Sequence, residues 1–344
     1  MKLLIIGVGG QLGSKLVEKA AEEGEYSIYG AFNTRPPSPS SSKLLTGSFQ
    51  LDKSNFDQVR QVVSKVKPDA VIDTGALHNV DYCETHEQEA FMINVDGTRN
   101  LARACRSVGS TTFVFVSTDF VFDGERGLYS EDDEPNPLSV YARSKLEGEK
   151  LAFKENPENS IVVRPAVIYS WVDQTSNGEK EESGKKMNKK KEREEKRSSG
   201  LMASPSSSST SSGKPLNFGA WLVSQISSGK EVKIVGDQIT SPTLADDLAG
   251  AILAILKSGK RSVIFHTAGA TPLSRYDFSV KLAEKLRLDT NLIHKISSDQ
   301  LKQVAKRPKN SSLLSDKIKR ETGYEMMDID RALEAFVRVR SPSS

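Results

Sequence analysis

The chain opens on a strand that runs straight into glycines, a start that few folds accommodate. Lys2 to Ile6 (K-L-L-I-I) is short and mostly apolar, as a central strand covered on both faces has to be. It leads into Gly7-Val8-Gly9-Gly10-Gln11-Leu12-Gly13 and then an amphipathic helix to about Glu22. Gly7, Gly10 and Gly13 follow the spacing G-x-x-G-x-x-G. The tight turn needs the first, backbone approach to a pyrophosphate needs the second, and close helix–strand packing needs the third. Free N–H groups at Gln11, Leu12 and Gly13, with the positive end of the helix dipole, would then face phosphate.

The next segments keep the alternation of strand and helix that predicts an α/β fold, a Rossmann-type doubly wound parallel sheet. A second strand, Tyr26 to Phe32, ends in Asn33-Thr34-Arg35. A site for NAD usually places an acidic residue near this point to bind the ribose 2′-OH. None stands here, and Arg35 could pair with a 2′-phosphate, so NADPH is the expected cofactor, with NADH left open. The other reading of Arg35 is the first residue of a solvated loop. Asp52 follows a third strand, and Asn55 to Lys65 reads as a helix. Ala70 to Asp73 is a fourth strand whose end, Thr74-Gly75-Ala76, is small enough to lie under a cofactor. His78 comes just after it, where either a substrate contact or a hydrogen-bonded structural role fits. A long helix, Glu87 to Val108, carries Asn94.

The chemistry is concentrated in the following stretch. The apolar run Thr112 to Val116 reads as a buried strand that delivers Ser117, Thr118 and Asp119 at its carboxyl end. Tyr141 and Lys145 follow on a helix predicted from Ser139 to Phe153, four residues apart and so on one face. A phenol is a weak acid at neutral pH, and a lysine beside it favours the phenolate and brings the group into the range of acid–base work. The Thr118 hydroxyl can hold a carbonyl oxygen against that phenol. Such a site moves a hydride to or from a C=O/CH–OH carbon.

Beyond this point the composition changes. Ile161 to Pro165 reads as a sixth strand leading away from the sheet. Gly178 to Arg197 is mostly Lys and Glu, and Ser198 to Gly213 mostly Ser; residues 171–214 are expected to be a solvated, disordered insertion. Residues 1–170 then form the NADP-binding domain. Residues 215–344 form mainly a smaller α+β substrate-binding lobe, with some segments returning to the sheet. In that part Glu231 to Val235 and Ser262 to His266 read as strands. A formal charge of +3 on 344 residues argues for no nucleic-acid partner, and no apolar run is long enough to span a bilayer. Two cysteines, Cys83 and Cys105, are too few for a disulfide framework and suit a reducing, cytoplasmic setting. Cys83 has no basic neighbour in the sequence to make it a nucleophile.

The combined set of motifs resembles the dTDP-4-dehydrorhamnose reductases, members of the extended short-chain dehydrogenase/reductases. It comprises the glycines, L-D at Leu51-Asp52, N-V-D-G-T at Asn94–Thr98, S-T-D-F-V-F-D-G at Ser117–Gly124 and Y-A-R-S-K at Tyr141–Lys145. G-D-Q…P-T at Gly236–Thr243, S-R-Y-D-F at Ser274–Phe278 and R-P-K-N-S at Arg307–Ser311 complete it. By that resemblance NADPH delivers hydride to the 4-keto carbon of a nucleotide-linked 6-deoxy sugar. Tyr141 protonates the nascent alkoxide, Thr118 binds the keto oxygen, and Lys145 binds the nicotinamide ribose and lowers the tyrosine pKa. Asn217, Arg307 and their segments would line the sugar-nucleotide side. The family also admits a homodimer, and some members bind magnesium at a dimer contact, but no ligand cluster for a metal is visible in this sequence. Two departures stand out: the insertion, and Val167, where these reductases commonly have a tryptophan. The chain is similar as well to the regulatory β subunit of methionine adenosyltransferase, which keeps the cofactor site and acts as a binding partner. A dehydratase would need an Asp-Glu pair after the strand-end Thr, and here Asp119 is followed by Phe120.

Overall fold

The computed structural model describes residues 1–171, 217–301 and 303–340. The first elements in chain order are β1 (Lys2–Ile6), α1 (Gln11–Glu23), β2 (Ser27–Phe32), α2 (Pro39–Lys43) and β3 (Gly47–Gln50). They are followed by α3 (Phe56–Val66), β4 (Ala70–Asp73), α4 (Val80–Thr85), α5 (Glu87–Phe91) and α6 (Gly97–Ser107). Next come β5 (Thr112–Val116), α7 (Val140–Glu155), β6 (Ser160–Arg164) and the short β7 (Ile168–Tyr169). The later part holds α8 (Phe218–Ser227), β8 (Val232–Val235), β9 (Ile239–Thr240), β10 (Thr243–Leu244) and α9 (Ala245–Lys257). It ends with β11 (Val263–His266), β12 (Leu273–Ser274), α10 (Arg275–Lys285), β13 (Ile293–Ile296), α11 (Asp316–Thr322) and α12 (Ile329–Arg340).

Seven strands form one parallel sheet in the order β11-β6-β5-β4-β1-β2-β3. Strands β4, β5 and β6 are buried at every position, β5 through the run T-F-V-F-V, whereas edge strand β3 alternates between half-buried and exposed. Helices α1 and α9 cover one face through Leu12, Leu16, Val17, Leu248 and Ile252. Helices α3, α6 and α7 cover the other through Val59, Val63, Leu101 and Ala152. This is the doubly wound architecture. The strand order reverses between β1 and β4, so the crevice at their carboxyl ends is where such sheets bind ligands.

Two elements differ from the sequence reading. The strand expected to leave the sheet near Ile161 instead lies inside it. Its I-V-V core needs cover on both faces, and it pairs with β5 on one side and β11 on the other. The chain departs only after Arg164. The helix expected from Glu87 to Val108 is interrupted by a π turn, Met92–Asp96, which turns Asn94 into the interior. Such one-residue insertions often accompany functional sites.

A separate apolar cluster, built on Tyr169, Phe218, Leu222, Phe278, Leu333 and Phe336, holds α8, α10, α12 and the β8–β13 pair together. The expected insertion lies outside the described residues apart from Trp171, which stands edge-on to Phe336 at 5.6 Å. Among the described residues no helix is long and apolar enough to cross a membrane. Cys83 and Cys105 are buried free thiols, and burial pushes both up, Cys83 to about 11.

Candidate active site

The glycine turn closes the carboxyl end of β1. Gly7 takes φ +89°, a conformation that side chains rarely adopt, and a Cβ at Gly13 would run into the carbonyl of Gly7. Gly9, which the spacing did not single out, abuts the carbonyl of Arg35 in the same way. Gly10 caps α1 with no side-chain hydrogen bond, and the first turn holds no acidic residue. The opening N–H groups at Gln11, Leu12 and Gly13 are therefore left for an anion. The Gln11 carboxamide nitrogen is buried with no partner among the described residues. An uncapped helix start beside an orphaned donor fits the pyrophosphate of a dinucleotide.

The flanking strand ends complete this half of the site. Asn33 and Arg35 are exposed at the exit of β2, and no described carboxylate lies within 4.0 Å of the Arg35 guanidinium. Asp52 turns inward to its own loop, accepting from the Ser54 N–H at 2.9 Å and hydroxyl at 2.7 Å. At the end of β4, the Gly75 N–H donates to Asp73 Oδ1 at 3.0 Å, which ties the backbone before Ala76 to the strand end. Lys53, which the sequence reading passed over, is buried here. Its Nζ reaches Asp73 Oδ2 at 2.7 Å and also the Gly75 carbonyl. Its only signal in the sequence is its place directly after Leu51-Asp52.

Tyr141, Lys145 and Thr118 come together at the end of β5. Ser139 caps α7 through the Ala142 N–H, and Glu84 of α4 accepts from the Val140 N–H at 3.0 Å. The first turn of α7 is thereby locked. Asn94, turned inward by the π turn, donates to Ser144 Oγ at 2.9 Å and exchanges hydrogen bonds with both backbone groups of Leu77. The Tyr141 ring stands edge-on to Phe120 at 6.3 Å, with the Thr118 side chain close to its hydroxyl. Burial pushes the phenol pKa up, while the nearby Thr118 hydroxyl opposes that shift. Lys145 is buried, with Nζ donating to the Val116 carbonyl at 2.7 Å and lying 3.9 Å from the centre of the Phe115 ring. Burial, and then the charge of Lys53, pull it down to about 7. Burial, and not Lys145, therefore sets the direction for the tyrosine. A neutral phenol at neutral pH is a loaded proton donor.

The remaining candidates are one residue after β4 and two in the later part of the chain. His78 is exposed, with Nδ1 3.4 Å from the Ala76 carbonyl. Asn217 caps α8 through the Ala220 N–H at 3.1 Å and donates to the Ser170 carbonyl at 2.9 Å. Arg307 grips Asp81 with two parallel bonds, at 2.9 and 2.8 Å, which fastens the R-P-K-N-S segment to α4. That segment also packs on the S-T-D-F-V-F-D-G loop. Gly124, at φ +78°, leaves room for Pro308, and its carbonyl accepts from the Asn310 N–H at 3.0 Å.

Asp119 joins these motifs. Its carboxylate accepts from Ser311 Oγ at 2.5 Å, Thr240 Oγ1 at 3.2 Å and Thr118 Oγ1 at 3.1 Å. Burial raises it to about 6 despite those hydroxyls. The unfolded chain therefore binds fewer protons at this group than the folded one between roughly pH 4 and pH 6. This group's contribution is fully present below pH 4 and fades as pH rises through 6. Asp119→Asn should remove the effect. Denaturant unfolding across that window should show wild type losing about 3 kcal/mol relative to the variant. Parallel curves for the two proteins would contradict the burial described.

The parallel sheet, the glycine turn at its switch point and the Thr–Tyr–Lys set at the end of β5 define a short-chain dehydrogenase/reductase type of fold and site. The family model described as RmlD substrate binding domain matches residues 1–197 and 209–341, and the chain belongs to that family. It is 29% identical over 344 residues to the dTDP-4-dehydrorhamnose reductase of Aggregatibacter actinomycetemcomitans, covering 97% of each chain. Among solved structures, the dTDP-4-dehydrorhamnose reductase of Bacillus anthracis in complex with NADP is similar with a TM-score of 0.75 and 26% identity, covering 99% of both chains. The methionine adenosyltransferase 2 subunit beta of Bos taurus is 25% identical over 313 residues, covering 91% of this chain and 80% of its own.

Proposed function

We propose that the protein reduces the 4-keto group of a nucleotide-linked 6-deoxy sugar with NADPH, as a dTDP-4-dehydrorhamnose reductase does. The observation that carries this reading is the gathering of Thr118, Tyr141 and Lys145 at the carboxyl end of β5, on the same edge of the parallel sheet as the glycine turn that would accept a dinucleotide. Bound NADPH supplies the hydride to the carbonyl carbon. Thr118 holds the keto oxygen against the phenol, and Tyr141 gives its proton to that oxygen as negative charge develops there. Lys145, fixed by the Val116 carbonyl, would hold the nicotinamide ribose. Gly7, Gly10, Gln11, Leu12 and Gly13 would hold the pyrophosphate, with Asn33, Asp52, Gly75 and Ala76 beside it. His78, Asn217 and Arg307 are proposed for the sugar-nucleotide side.

The experiment is a steady-state assay of NADPH consumption with dTDP-4-dehydrorhamnose generated in place. Turnover that depends on the sugar supports the reading. Tight NADPH binding without turnover, together with co-purification of a methionine adenosyltransferase, would replace it with the regulatory-subunit reading.

The preference for NADPH rests on Arg35. Its free guanidinium at the exit of β2 suits a 2′-phosphate, and the segment has no acid for a 2′-OH. Arg35→Ala should weaken NADPH about ten- to hundred-fold and leave NADH within about twofold, a loss typical of one charged hydrogen bond. Fluorescence titration of both cofactors measures it; an unchanged ratio would contradict the assignment.

Two buried unpaired thiols support a cytoplasmic setting, and the small net charge supports the absence of a nucleic-acid partner. A homodimer is part of the same proposal. Its support is the exposed apolar surface at Tyr82 and Met92, and sedimentation equilibrium would test it.

A further inference from the structure

The geometry points to Arg275 as the residue that receives the diphosphate of the nucleotide-linked substrate, an inference that rests on the reductase reading above. A pocket lies between the end of β5 and the second lobe, lined by Phe120, Val167, Gln238, Thr240, Arg275 and Ser311 among others. Phe120 lines it beside the Tyr141 ring. Arg275 lines it from the second lobe, with its guanidinium carbon 5.4 Å from the centre of the Phe218 ring.

Among the described residues this guanidinium has no carboxylate within 4.0 Å and no hydrogen-bond acceptor. Its surroundings explain why. Arg307, the neighbouring cation, already holds Asp81. Asp119, the buried carboxylate whose field it feels, is turned toward three hydroxyls. Burial and the charge of Arg307 lower Arg275 to about 10, so it stays protonated at neutral pH. A half-buried cation without a partner is costly, and a fold tolerates one where a ligand brings the opposite charge.

The side chain is also placed in advance. Ser274 caps α10 through the Asp277 N–H, and the Arg275 N–H donates to the Gln238 carbonyl at 3.2 Å. A guanidinium held over an aromatic face leaves N–H groups of its fork for phosphate oxygens.

The position selects the diphosphate over the sugar. The keto carbon must lie at Thr118 and Tyr141, and the anomeric carbon that carries the diphosphate lies across the pyranose ring from it. The phosphates then lie away from the keto oxygen, toward the second-lobe wall that carries Arg275. The cofactor phosphates are taken by the separate glycine turn at β1.

Calorimetric titration of the NADPH-loaded, full-length protein with dTDP, dTMP and thymidine tests this, on wild type, Arg275→Met and Arg275→Lys. Wild type should bind dTDP more tightly than dTMP and thymidine. Arg275→Met should weaken dTDP about ten- to hundred-fold, the loss of a charged, forked contact, and leave thymidine and NADPH unchanged. Arg275→Lys should recover part of it. In turnover, KM should rise with kcat nearly kept. Wild-type binding and turnover with Arg275→Met still within twofold for dTDP would overturn the inference alone. Wild type that neither binds dTDP nor turns over would overturn the reductase reading as well.

Discussion

Tyr141→Phe is expected to lower kcat by roughly 10²–10⁴-fold, the usual range for removing a positioned proton donor. That corresponds to about 3–5 kcal/mol of transition-state stabilisation. NADPH affinity and KM should change little, because the ring keeps its edge contact with Phe120 and its place beside Cys83 and Ala90. The split matters more than the size of the loss. A fall in NADPH affinity of the same size as the fall in kcat would mean that Tyr141 binds rather than donates. The desolvated phenol also predicts that activity persists well above neutral pH, since burial keeps the proton on the ring.

The second large effect concerns stability. Beneath the site, Glu149 of α7 accepts two bonds from Arg164 of β6, at 2.9 and 2.6 Å, and a further one from Ser117. Arg164 also lies against the Phe122 ring and beside His266. Both charges are almost wholly buried, at 2% and 3% exposure, so neither can turn to water when its partner is removed. Arg164→Met should therefore cost about 3–5 kcal/mol in urea unfolding. Replacing the pair together, as Glu149→Leu with Arg164→Met, should recover most of that. A single variant costing under about 1 kcal/mol would mean that water reaches the pair. His266, held low at about 3 by burial and by Arg164, stays neutral through this range and does not confuse the measurement.

These two effects also show where sequence was informative. Apolar runs bounded by glycine and small residues made β1, β4 and β5 legible, because strands buried on both faces admit little else. Tyr141, Lys145 and Thr118 were legible because helical spacing and a strand end bring them together through local geometry alone. Features that depend on distant pairing were not. β6 read as leaving the sheet because its neighbour β11 follows about a hundred residues later. Lys53 carries no pattern of its own, and its role exists only through Asp73 and Gly75. Asp119 carries no pattern that ties it to the later chain, yet it collects hydroxyls from β9 and from Ser311. Asn217 and Arg307 were placed on the substrate side by family resemblance. In the structure the first caps α8, and the second holds Asp81 and so fastens the segment whose Pro308 and Ser311 line the pocket.

The central claim is that a hydride moves from NADPH to the 4-keto carbon of the sugar while Tyr141 supplies the proton. It is tested most directly by turnover with NADPH deuterated at its transferable position, with the sugar product read by mass spectrometry and NMR. The account predicts one deuterium per product, bonded to carbon 4, with the label lost along with turnover in Tyr141→Phe. Product that carries no deuterium, or carries it at another carbon, would contradict it.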